Sequence, residues 1–182
     1  MQVYNPQIAE AIKTLREAQL DASAGLPQEL FWLVSSLIPV VNVDLLIVNK
    51  FKQVLLTWRD DEFYNQCWHI PGGCVRFGET MIQTVHKTAR EELGVDVHVN
   101  EIPLTVRDAI NPPFNNRQYV NERRHNVSVL FCCHLPDGFE IHNETMKENT
   151  PGYKKWFDQI PENFVAIQHI YDDILKPWIK DL

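Results

Sequence analysis

Apolar residues recur along the chain with two different periods, and the change of period divides it into two parts. In residues 6–20 the apolar positions Ile8, Ile12 and Leu15 follow a spacing of three to four residues, which predicts an amphipathic helix. The segment DASAGLP interrupts that pattern, and a second helix is predicted over residues 27–37. Residues 1–37 are therefore expected to form an N-terminal helical extension.

Strand-like patterns begin at Val40. The run VVNVDLLIV, the turn NKFKQ and the run VLLTW together predict a hairpin, and NVSVLFCCHL and GYKKWF predict two later strands. Pro161 is placed to open a closing helix that reaches toward Trp178. Strands before and after one central helix, with helices at both ends, predict an α/β fold of the α+β type. Residues 38–182 are expected to form a mixed-sheet sandwich between helices.

Composition narrows the classes of partner. The chain has 182 residues, of which 45% are hydrophobic, so it can bury the core of one domain. Its formal net charge of −7 argues against a nucleic-acid partner recognised through its phosphates, and a small-molecule partner is expected. The apolar run at residues 30–48 contains Asp44, and an Asp at the centre of a membrane helix costs about 3 kcal/mol. No membrane association is therefore expected.

The cysteines and the N-terminus favour a cytoplasmic location. The four cysteines contain no Cys-x-x-Cys pair, and Cys132 and Cys133 would point to opposite faces of a strand, so a zinc site has no support. Reduced thiols are typical of cytoplasmic proteins. The start MQVYNPQIAE lacks the basic and apolar regions of a signal peptide.

The central helix is expected to have an apolar face and an acidic face. Thr88, Glu91 and Glu92 fall on one side at about 100° per residue, and the two glutamates stand near the helix C-terminus, where the macrodipole disfavours negative charge. A divalent cation such as Mg²⁺ would resolve this conflict. The alternative is a solvated helix end supported by Lys87. The opposite stripe is Ile82, Val85, Ala89 and Leu93.

The segment GCVRFGETMIQTVHKTAREELGV, residues 73–95, resembles the signature of the Nudix hydrolases. That signature is Gly, five residues, Glu, seven residues, then Arg-Glu-aliphatic-any-Glu-Glu-any-Gly-aliphatic. Two positions depart from it, because Lys87 stands where Arg is usual and Thr88 where Glu is usual. The resemblance implies a fold of mixed sheets between helices and a hydrolase that uses Mg²⁺, with Mn²⁺ as a substitute.

The departure at Thr88 bears on the mechanism that the resemblance implies. In typical members the missing Glu is a metal ligand or the general base, and the GDP-mannose mannosyl hydrolase branch also lacks it. The run VNVDLLIVNKFKQVLLTWR that leads into WHIPGG looks like that branch as well, with Asp44 and Arg59 at positions that contact the nucleotide sugar. Enzymes of that branch use one Mg²⁺ and direct water to the anomeric carbon of the sugar.

The resemblance also assigns the ligand set. Glu92 is the expected main metal ligand, Glu91 supports it, and a backbone carbonyl of Gly72 or Gly73 completes the protein's share. Together with Arg59, which would neutralise phosphate charge, the two glutamates form the expected catalytic set. Lys87 is expected to contact phosphate as a point charge or to pair with Glu91. The alternatives are a surface ion pair for Arg59 and a helix-surface cation for Lys87.

The general base and the recognition loop are the remaining site predictions. The loop ETMKENTPGYKKW lacks the His that serves as base in the mannosyl hydrolase, which leaves His125, His142 or Glu148, and His125 is added to the catalytic set. The polar loop at residues 108–124 is expected to stack on a base and pair with phosphates. Its expected substrate contacts are Arg117, Tyr119 and Arg124.

Three functions are compatible with these residues. The first is a Mg²⁺-dependent hydrolase of a nucleotide sugar such as GDP-mannose, and the second is a pyrophosphohydrolase that cleaves the diphosphate. The third is a non-catalytic module that binds nucleotide sugars. Retention of Glu79, Glu91 and Glu92 favours an enzyme. The N-terminal helices are expected to pack on the domain or across a homodimer.

Overall fold

The N-terminal extension consists of two helices, as predicted. The computed structural model describes residues 4–61, 64–110 and 125–176. Helix α1 (Pro6–Glu17) is capped by Asn5, whose side chain accepts hydrogen bonds from two backbone N–H groups of the first turn. No residue of α1 is buried, whereas α2 (Gln28–Leu37) buries Ser35. Of the two helices, α2 is the one that contacts the rest of the chain through a buried face.

The strands form two sheets, and both sheets contribute to two hydrophobic cores. One sheet has the order β4-β1-β7-β5, with β6 also paired to β7, and the other has the order β3-β2-β8. The β1–β7 pair is parallel, and the remaining pairs are antiparallel. The described strands are β1 (Val40–Ile47), β2 (Val54–Asp61), β3 (Asn65–His69), β4 (Gly72–Cys74), β5 (His98–Val99), β6 (Thr105–Ile110), β7 (His125–His134) and β8 (Lys154–Phe157).

The predicted hairpin between β1 and β2 is wrong. The two strands enter different sheets, and a single isolated bridge between Val48 and Val54 joins them. Asn49 closes the turn, because its side chain accepts from the N–H groups of Phe51 and Gln53. β7 pairs along one edge of β1 and β4 pairs with residues 42–44 on the other, while β2 pairs with β3 and β8 in the second sheet. The strands and the turn between them were predicted correctly, but their pairing was not.

Alternation along β1 sends side chains into two separate cores. Val43 and Leu45 pack in the core that contains Val85 and Ala89 of the central helix. Leu46, from the opposite face, packs in a second core with Trp58 and other aromatic residues. Among the described helices, none is long and apolar enough to cross a membrane.

The central helix α3 (Met81–Thr88) begins at a capping box formed by Thr80 and Gln83. The expected apolar stripe is confirmed, since Val85, Ala89 and Leu93 are buried and Ile82 packs against them. The prediction of one continuous α-helix is wrong, because a π-helical turn (Ala89–Leu93) follows and ends at Gly94 with φ of 78°. A π-turn widens the spacing of side chains and is often found at functional sites.

The C-terminal part differs from the prediction at its start. The strand predicted in GYKKWF is present as β8. Pro161 opens a turn, not a helix, since Phe164 N–H donates to its carbonyl, and the 3₁₀ turn Ala166–Tyr171 and helix α4 (Asp172–Leu175) follow. The expected end at Trp178 lies outside the described residues. Residues 108–110, which were predicted to lie in the recognition loop, belong to β6, and residues 111–124 lie outside the described residues.

Candidate active site

The Glu92 carboxylate lies where the two sheets approach the end of the central helix. Its Oε1 accepts a hydrogen bond from the Gly72 N–H at 3.2 Å. Its Oε2 lies 3.0 Å from the Thr57 hydroxyl of β2 and 3.9 Å from His69 Nε2. The π-turn thus carries this carboxylate, and β2, β3 and β4 each place one residue next to it.

One hydroxyl proton is shared between two acceptors in this group. The Thr57 Oγ1 lies 2.9 Å from His69 Nε2 and 3.0 Å from Glu92 Oε2, and it has a single proton. His69 Nδ1 lies 2.9 Å from the Ile70 carbonyl, so the neutral imidazole donates there and accepts at Nε2. Burial lowers the pKa of His69 to about 3, which keeps it neutral. The Thr57 hydroxyl donates to Glu92 Oε2 when Glu92 is ionised, whereas both contacts are satisfied together when Glu92 carries a proton.

The electrostatics of Glu92 agree with this proton count. Burial raises the pKa of Glu92 to about 7, although the hydrogen bonds from Gly72 and Thr57 and the Arg59 charge act in the opposite direction. The side chain is 26% exposed, so its oxygens remain accessible from the adjoining space. A carboxylate with this much uncompensated burial is stabilised by a cation that arrives from that space.

A cleft of about 500 Å³ adjoins Glu92 and is lined by Glu91, Arg59 and Lys154. Glu91 is exposed, whereas Arg59 pairs with Asp61 and lies over the Tyr64 ring at 4.7 Å from the centroid. The structure thus brings the predicted residues Arg59, Glu91 and Glu92 together. Lys154 was not predicted to lie in the site. The segment KKW could have indicated it, because successive side chains of a strand point to opposite faces, and one of two adjacent lysines must therefore face inward.

Lys87 is paired with Glu79 and not with Glu91. Its Nζ lies 2.6 Å from both carboxylate oxygens of Glu79, and both side chains are about one-fifth exposed. The predicted Lys87–Glu91 pair is therefore wrong, because Glu79 lies within reach from the loop before the helix. The pKa of Glu79 is lowered, since hydrogen bonds from Lys87 and Thr84 outweigh desolvation.

Thr88 is buried against the backbone of Gly73. A Cβ placed on Gly73 would lie 2.5 Å from the Thr88 hydroxyl oxygen, so the glycine is required for this close approach. Thr88 thus occupies the space between the central helix and β4 with a short neutral side chain. At this position the helix contributes no carboxylate to the site.

Asp44 lines a second, polar cavity of about 110 Å³, which shares Arg59, His69 and Gly72 with the cleft. Its Oδ2 accepts from the Tyr171 hydroxyl at 2.7 Å and its Oδ1 from Gln168 Nε2 at 3.0 Å. The polar residues around Asp44 were not identified from the sequence. Those on β1 and β7 could have been found, because polar positions alternate with apolar ones in VVNVDLLIV and NVSVLF. The polar residues around Asp44 are Asn42, Asn126, Ser128 and Gln168.

The candidate general bases lie apart from the cleft. His125 Nε2 is 3.3 Å from Asp108 Oδ1, and alternation along β7 turns it away from the face that carries Asn126. It does not line the cleft or the polar cavity. Glu148 pairs with Lys155 at 2.6 Å, and His142 is exposed. The predicted contacts Arg117, Tyr119 and Arg124 lie outside the described residues.

The donor set suits a hard divalent cation. Glu91 and Glu92 offer carboxylate oxygens, and the Gly72–Gly73 backbone next to Glu92 offers carbonyl oxygens. Within residues 4–61, 64–110 and 125–176, no three His, Cys, Asp or Glu side chains are close enough to enclose a metal. Mg²⁺ in phosphate-handling sites is held by one or two carboxylates, and waters and substrate phosphates complete its sphere.

Comparison with known proteins connects this geometry to a family. The model of the NUDIX domain matches residues 39–162. The low-salt glycan biosynthesis protein Agl8 of Haloferax volcanii is 36% identical over 74 residues, which are 41% of this chain and 47% of that protein. The alignment thus spans about half the length of this curated relative.

Solved structures resemble the fold. A MutT NUDIX hydrolase from Burkholderia pseudomallei has a TM-score of 0.56 at 24% identity, covering 73% of this chain and 95% of that one. A MutT protein from Methanosarcina mazei has a TM-score of 0.52 at 17% identity, covering 79% and 97%. At these identities the likeness concerns the arrangement of helices and strands, which confirms the predicted fold class.

Proposed function

The chain belongs to the NUDIX domain family of hydrolases, and from that premise we propose that it is a Mg²⁺-dependent hydrolase of a nucleotide sugar such as GDP-mannose. Members of this family act on small nucleoside diphosphate derivatives and generally use a divalent metal. The proposed reaction is attack of water at the anomeric carbon, with release of the intact nucleoside diphosphate.

The observation that carries the proposal is the burial of Thr88 against Gly73. With Thr88 neutral and Glu79 paired to Lys87, the central helix and its π-turn offer the cleft two carboxylates, Glu91 and Glu92. Two carboxylates suit one Mg²⁺ better than the several that phosphorus attack by a metal-activated hydroxide uses. Attack at carbon requires stabilisation of a diphosphate leaving group, for which one metal is enough.

The protein groups have separate roles in this proposal. Glu92, Glu91 and a carbonyl of Gly72 or Gly73 would hold Mg²⁺, which would neutralise charge on the departing diphosphate. Arg59 and Lys154 line the same cleft and would contact the phosphate oxygens. The polar cavity around Asp44 adjoins the same cleft and would receive the sugar, whereas no general base is assigned, because His125 lies apart from both cavities.

Isotope labelling decides between the candidate reactions. The test turns over a panel of nucleotide sugars in water enriched in ¹⁸O and follows the products by phosphorus NMR and mass spectrometry. We expect the label in the free sugar and none in the nucleoside diphosphate. Label in a phosphate group would instead identify a pyrophosphohydrolase, and binding of the panel without turnover would identify a binding module.

The proposal also covers the cellular compartment, the domain organisation and the oligomeric state of the protein. All four cysteines are free thiols in the structure, which supports a reducing compartment such as the cytoplasm. Residues 1–37 are proposed to form an extension to a catalytic domain of residues 38–182, and the extension is proposed to mediate a homodimer. The small-molecule substrate would enter at the cleft beside Glu91.

A further inference from the structure

A large chamber lies between the N-terminal extension and the site glutamates. Its volume is about 700 Å³, within the range of about 300–1,000 Å³ that small-molecule sites have. Glu91 and Glu92 line it at one end, as they also line the cleft that contains Arg59. Part of its wall comes from residues before position 39, outside the match to the family model. We call this cavity the N-terminal chamber.

The walls of the N-terminal chamber are mainly apolar. Phe31 and Val34 of α2 line it together with the buried Ser35, so this face of the helix is turned inward. Val41 and Val75 line it from β1 and the residue after β4. Leu33 lies on the outward face of α2 and is 42% exposed. The helix thus presents one face to the chamber and one to solvent.

The extension contacts the loop after β4 beside the site. Arg76, in the loop after β4, lies with its Nη1 3.5 Å from the Ala24 carbonyl, and Gly25 and Leu26 line the chamber at this point. The Ser35 hydroxyl, which also faces inward, donates to the Trp32 carbonyl within its own helix. Apart from Arg76 and Lys87, of which Lys87 pairs with Glu79, the chamber has few polar groups outside its acidic end.

A ligand of this chamber must join an anionic group to a body with apolar faces. A metal-bound diphosphate satisfies the acidic end, whereas a sugar would lose water partners at the apolar walls without replacement. A nucleobase has two apolar faces and stacks on aromatic rings such as Phe31. We infer that the N-terminal chamber binds the apolar faces of the nucleobase of the nucleoside diphosphate substrate, so that the extension contributes to nucleotide affinity. This inference rests on the proposed function.

The test compares two substitutions on neighbouring positions of α2. Val34→Trp fills the chamber, and Leu33→Trp places the same side chain on the exposed face. Calorimetry with Mg²⁺ measures binding of ADP, GDP, CDP and UDP, of pyrophosphate and of geranyl diphosphate. We expect the best nucleoside diphosphate to bind at least tenfold more weakly to Val34→Trp and within twofold to Leu33→Trp. Pyrophosphate should bind all three proteins equally.

Phe31→Leu provides a second variant, because it keeps an apolar side chain and removes only the aromatic ring. We expect it to weaken the same nucleotide by at least threefold. Unchanged nucleotide affinity in both chamber variants, or no nucleoside diphosphate binding to the wild type, would overturn the inference. Geranyl diphosphate binding that exceeds every nucleotide and is lost in Val34→Trp would also overturn it and would assign the chamber to a hydrocarbon chain.

The two proposals fail in different ways. If nucleotide binding depends on the chamber but no nucleotide sugar is hydrolysed at carbon, the proposed reaction is wrong and the base site stands. If a nucleotide sugar is hydrolysed at carbon with the same KM by wild type and Val34→Trp, the reaction stands and the base site is wrong. The KM values of Val34→Trp and Leu33→Trp therefore separate the two outcomes.

Discussion

At the scale of single residues, Glu92 is the group on which the proposed chemistry depends. It is largely buried, it is reached by the N–H of Gly72 and the hydroxyl of Thr57, and the cations near it are engaged elsewhere. Its side chain adds contacts to the site and none to the apolar cores. A change of charge at this position should therefore affect function and leave the fold in place.

The first prediction is that Glu92→Gln abolishes Mg²⁺-dependent turnover. Substitution of a residue that only supports a metal ligand typically reduces activity by roughly 10- to 100-fold, and loss of a ligand itself should reduce it further. Because burial raises the pKa of Glu92 from 4.5 to about 7, its contribution favours the folded state below pH 4.5 and is lost as pH rises to 7. Metal-free Glu92→Gln should then be at least as stable as wild type at pH 8. Thermal unfolding and turnover are measured together, with the exposed Glu140→Gln as control.

Wild-type turnover in Glu92→Gln would assign Glu92 to a solvated helix end. Loss of turnover in Glu140→Gln to the same degree would show that the assay responds to charge in general. A fall in the melting temperature of Glu92→Gln at pH 8 would contradict the account of its burial. The two measurements thus test the functional and the electrostatic assignment separately.

The second prediction concerns competition between protons and metal at Glu92. Since its pKa is about 7, protonated Glu92 must release a proton before it ligates a cation. Affinity for Mn²⁺ should fall about tenfold for each pH unit below 7 and level off above pH 8. Titrations followed by electron paramagnetic resonance between pH 5.5 and 8.5 measure this. A flat profile across that range would show that Glu92 is ionised throughout or does not bind the metal.

At the scale of elements, periodicity predicted which face of the central helix is buried but not its geometry. The buried positions Val85, Ala89 and Leu93 follow from their spacing of four residues. The prediction that Leu93 is buried holds although a π-turn replaces the last α-helical turn. Which backbone hydrogen bonds form within Ala89–Leu93 depends on packing against the sheets. Sequence spacing alone carries no such information.

Strand pairing shows the same limit. The alternation of polar and apolar residues predicted where β1 and β2 lie, and it included the polar residues Asn42 and Asp44. A period of two does not, however, indicate which strands pair with each other. The partners of β1 are a strand of three residues and one more than 80 positions away. The glutamates could be predicted because a local motif carries them, whereas Thr57 and Lys154 reach the site through long-range pairing of β2 and β8.

The third prediction concerns Thr88, where the helix meets β4. Thr88→Glu would add a carboxylate beside Glu91 and Glu92, but the longer side chain must find space next to Gly73, at a cost of about 1–3 kcal/mol. We expect it to bind one more Mn²⁺ than the wild type and to gain some cleavage between the phosphates. Thr88→Gln is the matched control, since it adds the same bulk without charge.

Calorimetry with Mn²⁺ and chromatography of the products measure both effects of Thr88→Glu. Both variants should lose similar stability, and only the glutamate should change the metal count. Equal metal counts in the two variants would show that position 88 does not face the metal site. Release of a nucleoside monophosphate by the wild type itself would contradict carbon attack and favour a pyrophosphohydrolase.

At the scale of the whole molecule, the two N-terminal helices have different surroundings. Helix α2 turns one face toward the N-terminal chamber, and packing of the extension on the domain or across a homodimer stays a prediction. Helix α1 buries nothing within one chain. Its apolar residues Ile8, Ile12 and Leu15 lie on one face and are 58%, 44% and 41% exposed. A contiguous apolar face of this kind is typical of an interface with another protein.

The last prediction is that α1 mediates a homodimer. Light scattering at micromolar concentration should give twice the 21.2 kDa chain mass for the wild type. Ile12→Lys places a charge on the apolar face and should give 21.2 kDa, whereas Thr14→Lys places the same charge away from that face and should remain dimeric. Circular dichroism should be nearly unchanged in both variants, because α1 buries no side chain in one protomer. A wild-type mass of one chain at every concentration would contradict the dimer and assign the exposed face of α1 to a different partner.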